Sequence, residues 1–190
     1  MMADPTRLQS LGEAAKSAGK GRGPAPVEKW NPPFCGDIDM RIARDGTWFY
    51  GGTPIGRAAL VQLFSTILRK DPDRYVLVTP VERVGIVVED APFLAVEMRV
   101  EGDGEGRVIA FRTNVEDWTE AGPAHPLRFE HTQAEGLKPY VHVRGGLEAL
   151  VKRALVFDLA EMAQTRMIDG VERTGVWSGG AFFPIEVAAT

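Results

Sequence analysis

Two glycine-rich segments hold the residue types most suited to gripping a ligand. Gly51-Gly52-Thr53-Pro54-Ile55-Gly56-Arg57 precedes an apolar periodic stretch, and Val143-Arg144-Gly145-Gly146 precedes another. If each opens a helix, its free backbone N–H groups and the positive end of its dipole favour an anion. Glycines let a ligand approach the main chain, and Arg57 or Arg144 adds a charged fork suited to phosphate or carboxylate. Neither segment matches the Walker or dinucleotide fingerprints. Tyr50 and Tyr140 flank the two segments as ring faces for a base, with core packing the competing use. Arg128 and His125 would complete a positive pocket.

Other groups read less sharply. Asp37 and Asp39 share one face of a strand with Arg41, a spacing that suits acid–base work, a hard cation, or the wet face of an edge strand. Cys35 is the only cysteine and has no histidine within eighty residues; a small buried apolar group competes with a nucleophile there. His125, His131 and His142 lack the spacing of a zinc site, and no motif implies a cofactor. The segment 102–106, Gly-Asp-Gly-Glu-Gly, has no helix behind it and reads as a hairpin tip. The aromatic segment 177–183 serves either as a pocket wall or partner surface, or as the completion of a core.

The elements that must position these groups follow from periodicity. Residues 6–17 suit a short helix, and 19–33, nearly half Gly and Pro, read as a linker or surface arm. Alternation over 37–42, the Asp45-Gly46 turn and 47–50 predict a hairpin. Thr53-Pro54 suits a helix N-cap and first turn. Leu60, Leu63, Phe64, Ile67 and Leu68 have the spacing of an amphipathic helix. Strands are predicted over 75–79, 83–89, 93–101, 107–113, 127–131 and 139–143, with 114–125 irregular. A second long helix is predicted over 147–162, then three short strands broken at 169–170 and 179–180.

At an offset of 90 residues, Gly46, Tyr50, Gly56, Ala59, Leu60 and Val61 meet Gly136, Tyr140, Gly146, Ala149, Leu150 and Val151. The chain therefore reads as an α+β protein of two duplicated units, each a small, mostly antiparallel sheet with one long helix. The expected division is an arm over 1–33, a first unit over 34–118 and a second over 119–190.

Composition excludes several classes. The 190 residues carry a net charge of −4, which gives no reason to expect nucleic-acid binding. No run approaches the roughly 20 apolar residues of a membrane helix, and the N-terminus lacks the apolar core of a secretory signal. The chain reads as cytoplasmic, with no membrane partner.

Longer blocks carry a resemblance: Pro33-Phe34-Cys35-Gly36-Asp37-Ile38-Asp39-Met40, Asp45-Gly46-Thr47-Trp48, Leu77-Val78-Thr79-Pro80-Val81-Glu82, Val88-Glu89-Asp90-Ala91-Pro92-Phe93, His125-Pro126-Leu127-Arg128 and Gly175-Val176-Trp177-Ser178. In these, over about residues 30–185, the sequence resembles the bacterial family catalogued as domain of unknown function 1285. The resemblance implies a duplicated α+β fold whose C-terminal part is similar to pleckstrin-homology domains. It also implies a pocket between the units for a nucleotide-like ligand and a role in signal transduction, and it brings no activity.

The expectation is a binding or signalling protein rather than an enzyme, taking a small anionic, nucleotide-like ligand. Its candidate residues are Arg144, Arg57, Gly145, Gly146, Gly52, Thr53, Tyr140, Tyr50, Arg128, His125, Asp37 and Asp39. A protein–protein module and an enzyme with an Asp/Cys/His cleft are the alternatives.

Overall fold

The computed structural model describes residues 4–19 and 23–185. Part of the predicted linker, residues 20–22, lies outside the described residues. The chain divides into two compact units between Pro92 and Phe93. The sequence-based boundary at 118/119 falls instead within a single sheet.

The first unit begins with α1 (Pro5–Ala18), capped by Asp4, whose carboxylate accepts from the Thr6 amide at 2.9 Å. Its Leu11 and Ala15 are buried and the helix packs on α2 (Ala58–Thr66). The strands are β1 (Phe34–Ile42), β2 (Trp48–Tyr50), β3 (Thr53–Pro54), β4 (Leu68–Lys70), β5 (Tyr75–Val78) and β6 (Arg83–Val88). They form one sheet in the order β3-β2-β1-β6-β5-β4, antiparallel except for the central β1/β6 pair. The β1–β2 hairpin forms as its pattern predicts. Asp45 accepts from the Thr47 amide at 2.9 Å, which lowers the carboxyl's pKa.

Thr53 and Pro54 do not cap a helix. They pair with β2 across a two-residue turn in which Gly51 and Gly52 have φ of 57° and 76°, the left-handed pair a type I′ hairpin requires. Arg57 takes the N-cap position. Helix α2 ends at Thr66, and Leu68, predicted as its last apolar residue, starts β4. Phe64 is fully buried and stacks on Trp48, ring centroids 6.5 Å apart. The Gly/Pro segment is not a loose arm where described. Ala25 is buried and its amide bonds to Thr66, while Arg69 donates to the Val27 and Trp30 carbonyls at 2.9 and 2.7 Å.

The second unit contains β7 (Phe93–Glu101), β8 (Val108–Thr113), β9 (Trp118–Glu120), β10 (Leu127–Thr132), β11 (Gly136–Arg144) and β12 (Leu147–Val151). Its order, read from one edge, is β9-β8-β7-β12-β11-β10, with β7 and β12 parallel at the centre. This is the arrangement of the first sheet strand for strand: two three-stranded meanders joined through their first and last strands. The duplication is present in the architecture.

Its sequence register is different from the one expected. By topology β7 is the counterpart of β1 and β12 that of β6, whereas the 90-residue offset lays Leu60 of α2 on Leu150 of β12. The predicted helix over 147–162 is a strand followed by a shorter helix, α3 (Arg153–Glu161). Leu147, Ala149 and Val151 are buried in alternation, so the run satisfies a period of two as well as 3.6. Pairing with β11 and β7 on both sides decides for the strand. Gly145-Gly146 is accordingly the β11–β12 hairpin turn, φ 53° and 78°, and opens no helix. Nor are α2 and α3 equivalent, since α2 lies between the third and fourth strands of its unit and α3 after the sixth.

The chain finishes with a three-stranded antiparallel sheet, β13 (Gln164–Ile168), β14 (Val171–Ser178) and β15 (Ala181–Pro184), with breaks at the two predicted turns.

Candidate functional site

Three of the sequence-predicted residues come together in the first unit. Tyr50 and Thr53, on either side of the β2–β3 turn, join Arg57 at the start of α2 around a pocket of about 480 Å³. Leu8 of α1, Ile55, Pro54 and Leu60 give it apolar walls. Tyr50 holds one side in place, its hydroxyl donating to the Asp4 carbonyl at 2.8 Å. Burial, and then the Asp4 charge, raises the pKa of this phenol. Arg7 reaches Glu82 at 2.7 Å and fastens α1 to the turn before β6.

The start of α2 borders this pocket through Arg57 and Leu60. The Arg57 carbonyl accepts from Leu60 and Val61 at 3.0 and 3.2 Å. No side chain caps the helix and no acidic residue sits in its first turn. The amides of Ala58 and Ala59 have no partner within the helix. The exposed Arg57 side chain makes no hydrogen bond or ion pair among the described residues. A cation at a helix N-terminus opposes the dipole by a few tenths of a kcal/mol, and an anion between them reverses that sign. Gly52 is exposed in the turn and contributes conformation rather than a side chain.

In the second unit the predicted cations are already engaged. Arg144 pairs with Asp117 at 2.5 Å and lies over the Phe93 ring, 5.1 Å from its centroid. Expected to be the strongest ligand contact, it is an ion-pair partner tying β11 to the turn before β9. Arg128 is held by Glu148 through two hydrogen bonds at 2.8 and 2.7 Å and also by Glu130. Its guanidinium covers Tyr140, a core residue only 2% exposed, at 4.1 Å. Gly146 donates its amide to His142 Nε2 at 3.1 Å.

His125 stacks on His142, with ring centroids 5.7 Å apart. Desolvation, and then the neighbouring imidazole, lowers the His142 pKa, opposed by the Ala124 backbone and Glu148. The unfolded chain therefore takes up this proton at higher pH than the folded one. The stabilisation is complete above the ordinary 6.5 and is lost as pH falls below it, through the lowered folded-state value. Melting temperature is expected to decline from pH 7 to pH 5, and His142→Asn to flatten that part of the profile. An unchanged slope in the variant would remove His142 as the cause.

The acid–base candidates do not form a cleft. Asp37 and Asp39 lie on the exposed face of β1, Asp37 with Arg74 at 3.7 Å. Cys35, where a small buried group was one expectation, is exposed and donates its thiol to the Pro33 carbonyl at 3.5 Å. All three histidines belong to the second unit. Among the described residues no three His, Cys, Asp or Glu side chains gather as a metal site, and no helix is long and apolar enough to cross a membrane. In the aromatic C-terminal segment, Val176 and Phe183 are buried and Trp177 packs against Phe182 at 5.3 Å.

Sequence reasoning missed the apolar walls. Leu8 and Leu60 carry only the signal of helix faces, and nothing local says that α1 returns to the start of α2.

Comparisons with known proteins place both units, from residue 25 to residue 185, in one family. The family model "Domain of unknown function (DUF1285), N-terminal domain" matches residues 25–91. "Protein of unknown function (DUF1285), C-terminal domain" matches residues 92–185. A DUF1285 family protein from Silicibacter pomeroyi DSS-3, known from its crystal structure, is 52% identical and superposes with a TM-score of 0.84. That match covers 94% of this chain and 95% of the other. Another from Shewanella baltica OS155 is 26% identical, covering 66% of this chain and 92% of its own, with a TM-score of 0.52. No curated protein matches.

Proposed function

The chain belongs to the DUF1285 family, and from that premise we propose that it is a binding protein for a small anionic, nucleotide-like ligand, seated in the first unit where α2 begins. The observation that carries this reading is Arg57, unpaired among the described residues, at an uncapped helix start inside a pocket. At about 480 Å³ the pocket falls within the usual range for small-molecule sites. Its two halves suit an anion with an apolar or ring-shaped body: the α2 amides and Arg57 take the charge, and Leu8, Ile55 and Leu60 take the body. A role in signalling follows if ligand binding changes what the protein contacts. Asp37, Asp39 and Cys35, exposed on one strand with no histidine of their own unit beside them, give an enzymatic reading no support.

The test is calorimetry and thermal shift with inorganic phosphate and with mono-, di- and cyclic nucleotides, on wild type and Arg57→Ala. A ligand at 100 times its dissociation constant is expected to stabilise by about 2.7 kcal/mol. Arg57→Ala is expected to weaken that ligand about tenfold, a loss of about 1.4 kcal/mol. The free variant is expected to be as stable as wild type or slightly more so, because a cation leaves the positive end of α2. Silence from every anion at millimolar concentration, or binding indifferent to Arg57, would overturn the proposal.

A further inference from the structure

The second unit carries a separate depression of about 720 Å³. Strand register shows how it is furnished. Arg99 of β7 stands opposite Ala110 of β8, which stands opposite Glu120 of β9, and Glu101 stands opposite Val108. Alternate residues share a face, so these five lie on one side of the sheet with Trp118, while Ile109 and Phe111 point into the core on the other. The loop running to His125 forms the rim.

The charges do not balance. Arg99, the only Lys or Arg in the lining, is paired with Glu97 at 3.3 Å, whereas Glu101 and Glu120 have no hydrogen-bond or ion-pair partner among the described residues. Trp118 is 41% exposed, and the Arg99 guanidinium lies 4.1 Å from its ring centroid. That contact displays the chemistry the ring accepts, a planar or compact cation over an aromatic face. At the rim, His125 Nδ1 is buried without a partner. Val108, Ala110 and Val143 supply an apolar floor.

We infer that this depression binds a small organic cation, a guanidinium or alkylammonium compound with a short hydrocarbon body. Its charge sits between Glu101 and Glu120, its body crosses Val108 and Ala110, and Trp118 borders it. Two unpaired carboxylates repel the anions assigned to the first unit, so the two sites select opposite charges and stand or fall separately.

Agmatine and spermidine are the probes, titrated at low ionic strength by calorimetry and by tryptophan fluorescence. Wild type is expected to bind at least one with a submillimolar dissociation constant. The double variant Glu101→Gln/Glu120→Gln is expected to weaken it more than tenfold with an unchanged melting temperature. Trp118→Ala is expected to weaken it severalfold, and the double variant decides the matter should that protein fold poorly. No heat or fluorescence change at millimolar probe would overturn the inference. So would equal affinity in the double variant, or binding of a short arginine peptide where both free amines are silent.

Discussion

Gly175→Ala is expected to cost about 3 kcal/mol or more and to lower the melting temperature by about 6–12 °C for a chain of this length. Gly175 sits in β14 opposite Pro184 of β15. A Cβ there would lie 2.8 Å from the Pro184 Cα and 2.7 Å from the Phe182 ring, and would overlap the Phe183 carbonyl oxygen. Two of these neighbours are backbone, so relief requires β15 to move away from β14, taking the buried Phe183 with it. Circular dichroism melts give the answer. A variant within about 0.5 kcal/mol of wild type would mean that the β14–β15 approach is looser than described.

Ser178→Ala has the second large expected effect. The Ser178 hydroxyl donates to the Ala121 carbonyl at 2.7 Å and accepts from the Ile109 amide at 2.9 Å. Ser178 and Ile109 are fully buried and Ala121 is 1% exposed. One oxygen thus satisfies two backbone groups and joins β14 to β8 and to the residue after β9. Alanine leaves both groups without a partner, at about 1–3 kcal/mol each, so a loss of about 2–6 kcal/mol is expected. Thr165→Ala removes an exposed hydroxyl pair with Thr174 on the same sheet and is expected to stay within about 0.5 kcal/mol. Chemical denaturation of the two variants side by side measures the contrast. Equal losses would contradict the part assigned to Ser178. The motif Gly175-Val176-Trp177-Ser178 is on this account a packing device that attaches the last sheet to the six-stranded sheet of the second unit.

Elements with one unambiguous period were legible from the residues alone. The strand over 93–101 coincides with β7, and the Asp45-Gly46 hairpin forms where alternation and turn chemistry agree. Legibility failed where a short apolar run fits two periods. Leu147, Leu150, Val151, Ala154 and Leu155 trace a helical face, while Leu147, Ala149 and Val151 trace a strand face. Only the neighbours on both sides, β11 and β7, choose between them. The same error turned Gly145-Gly146 into a helix start and shifted the repeat from its topological register.

The site divides along a similar line. The position of Arg57 at the start of α2 was legible because Gly56 before it and the apolar periodic run after it are local signals. The fate of Arg144 and Arg128 was not, because Asp117 and Glu148 reach them from positions far along the chain that only the folded sheet brings close. A carboxylate that neutralises an arginine across a sheet leaves no trace in the spacing around that arginine. The pocket walls depend likewise on α1 packing back on α2.

The central claim, that an anion is received at the start of α2, is tested most directly by following backbone amide resonances during titration with phosphate and then with nucleotides. The account predicts saturable shifts that are largest for Ala58 and Ala59, smaller ones for Gly56 and Thr53, and their loss in Arg57→Ala. Shifts centred elsewhere in the chain, or none at Ala58 and Ala59 at saturating anion, would contradict it.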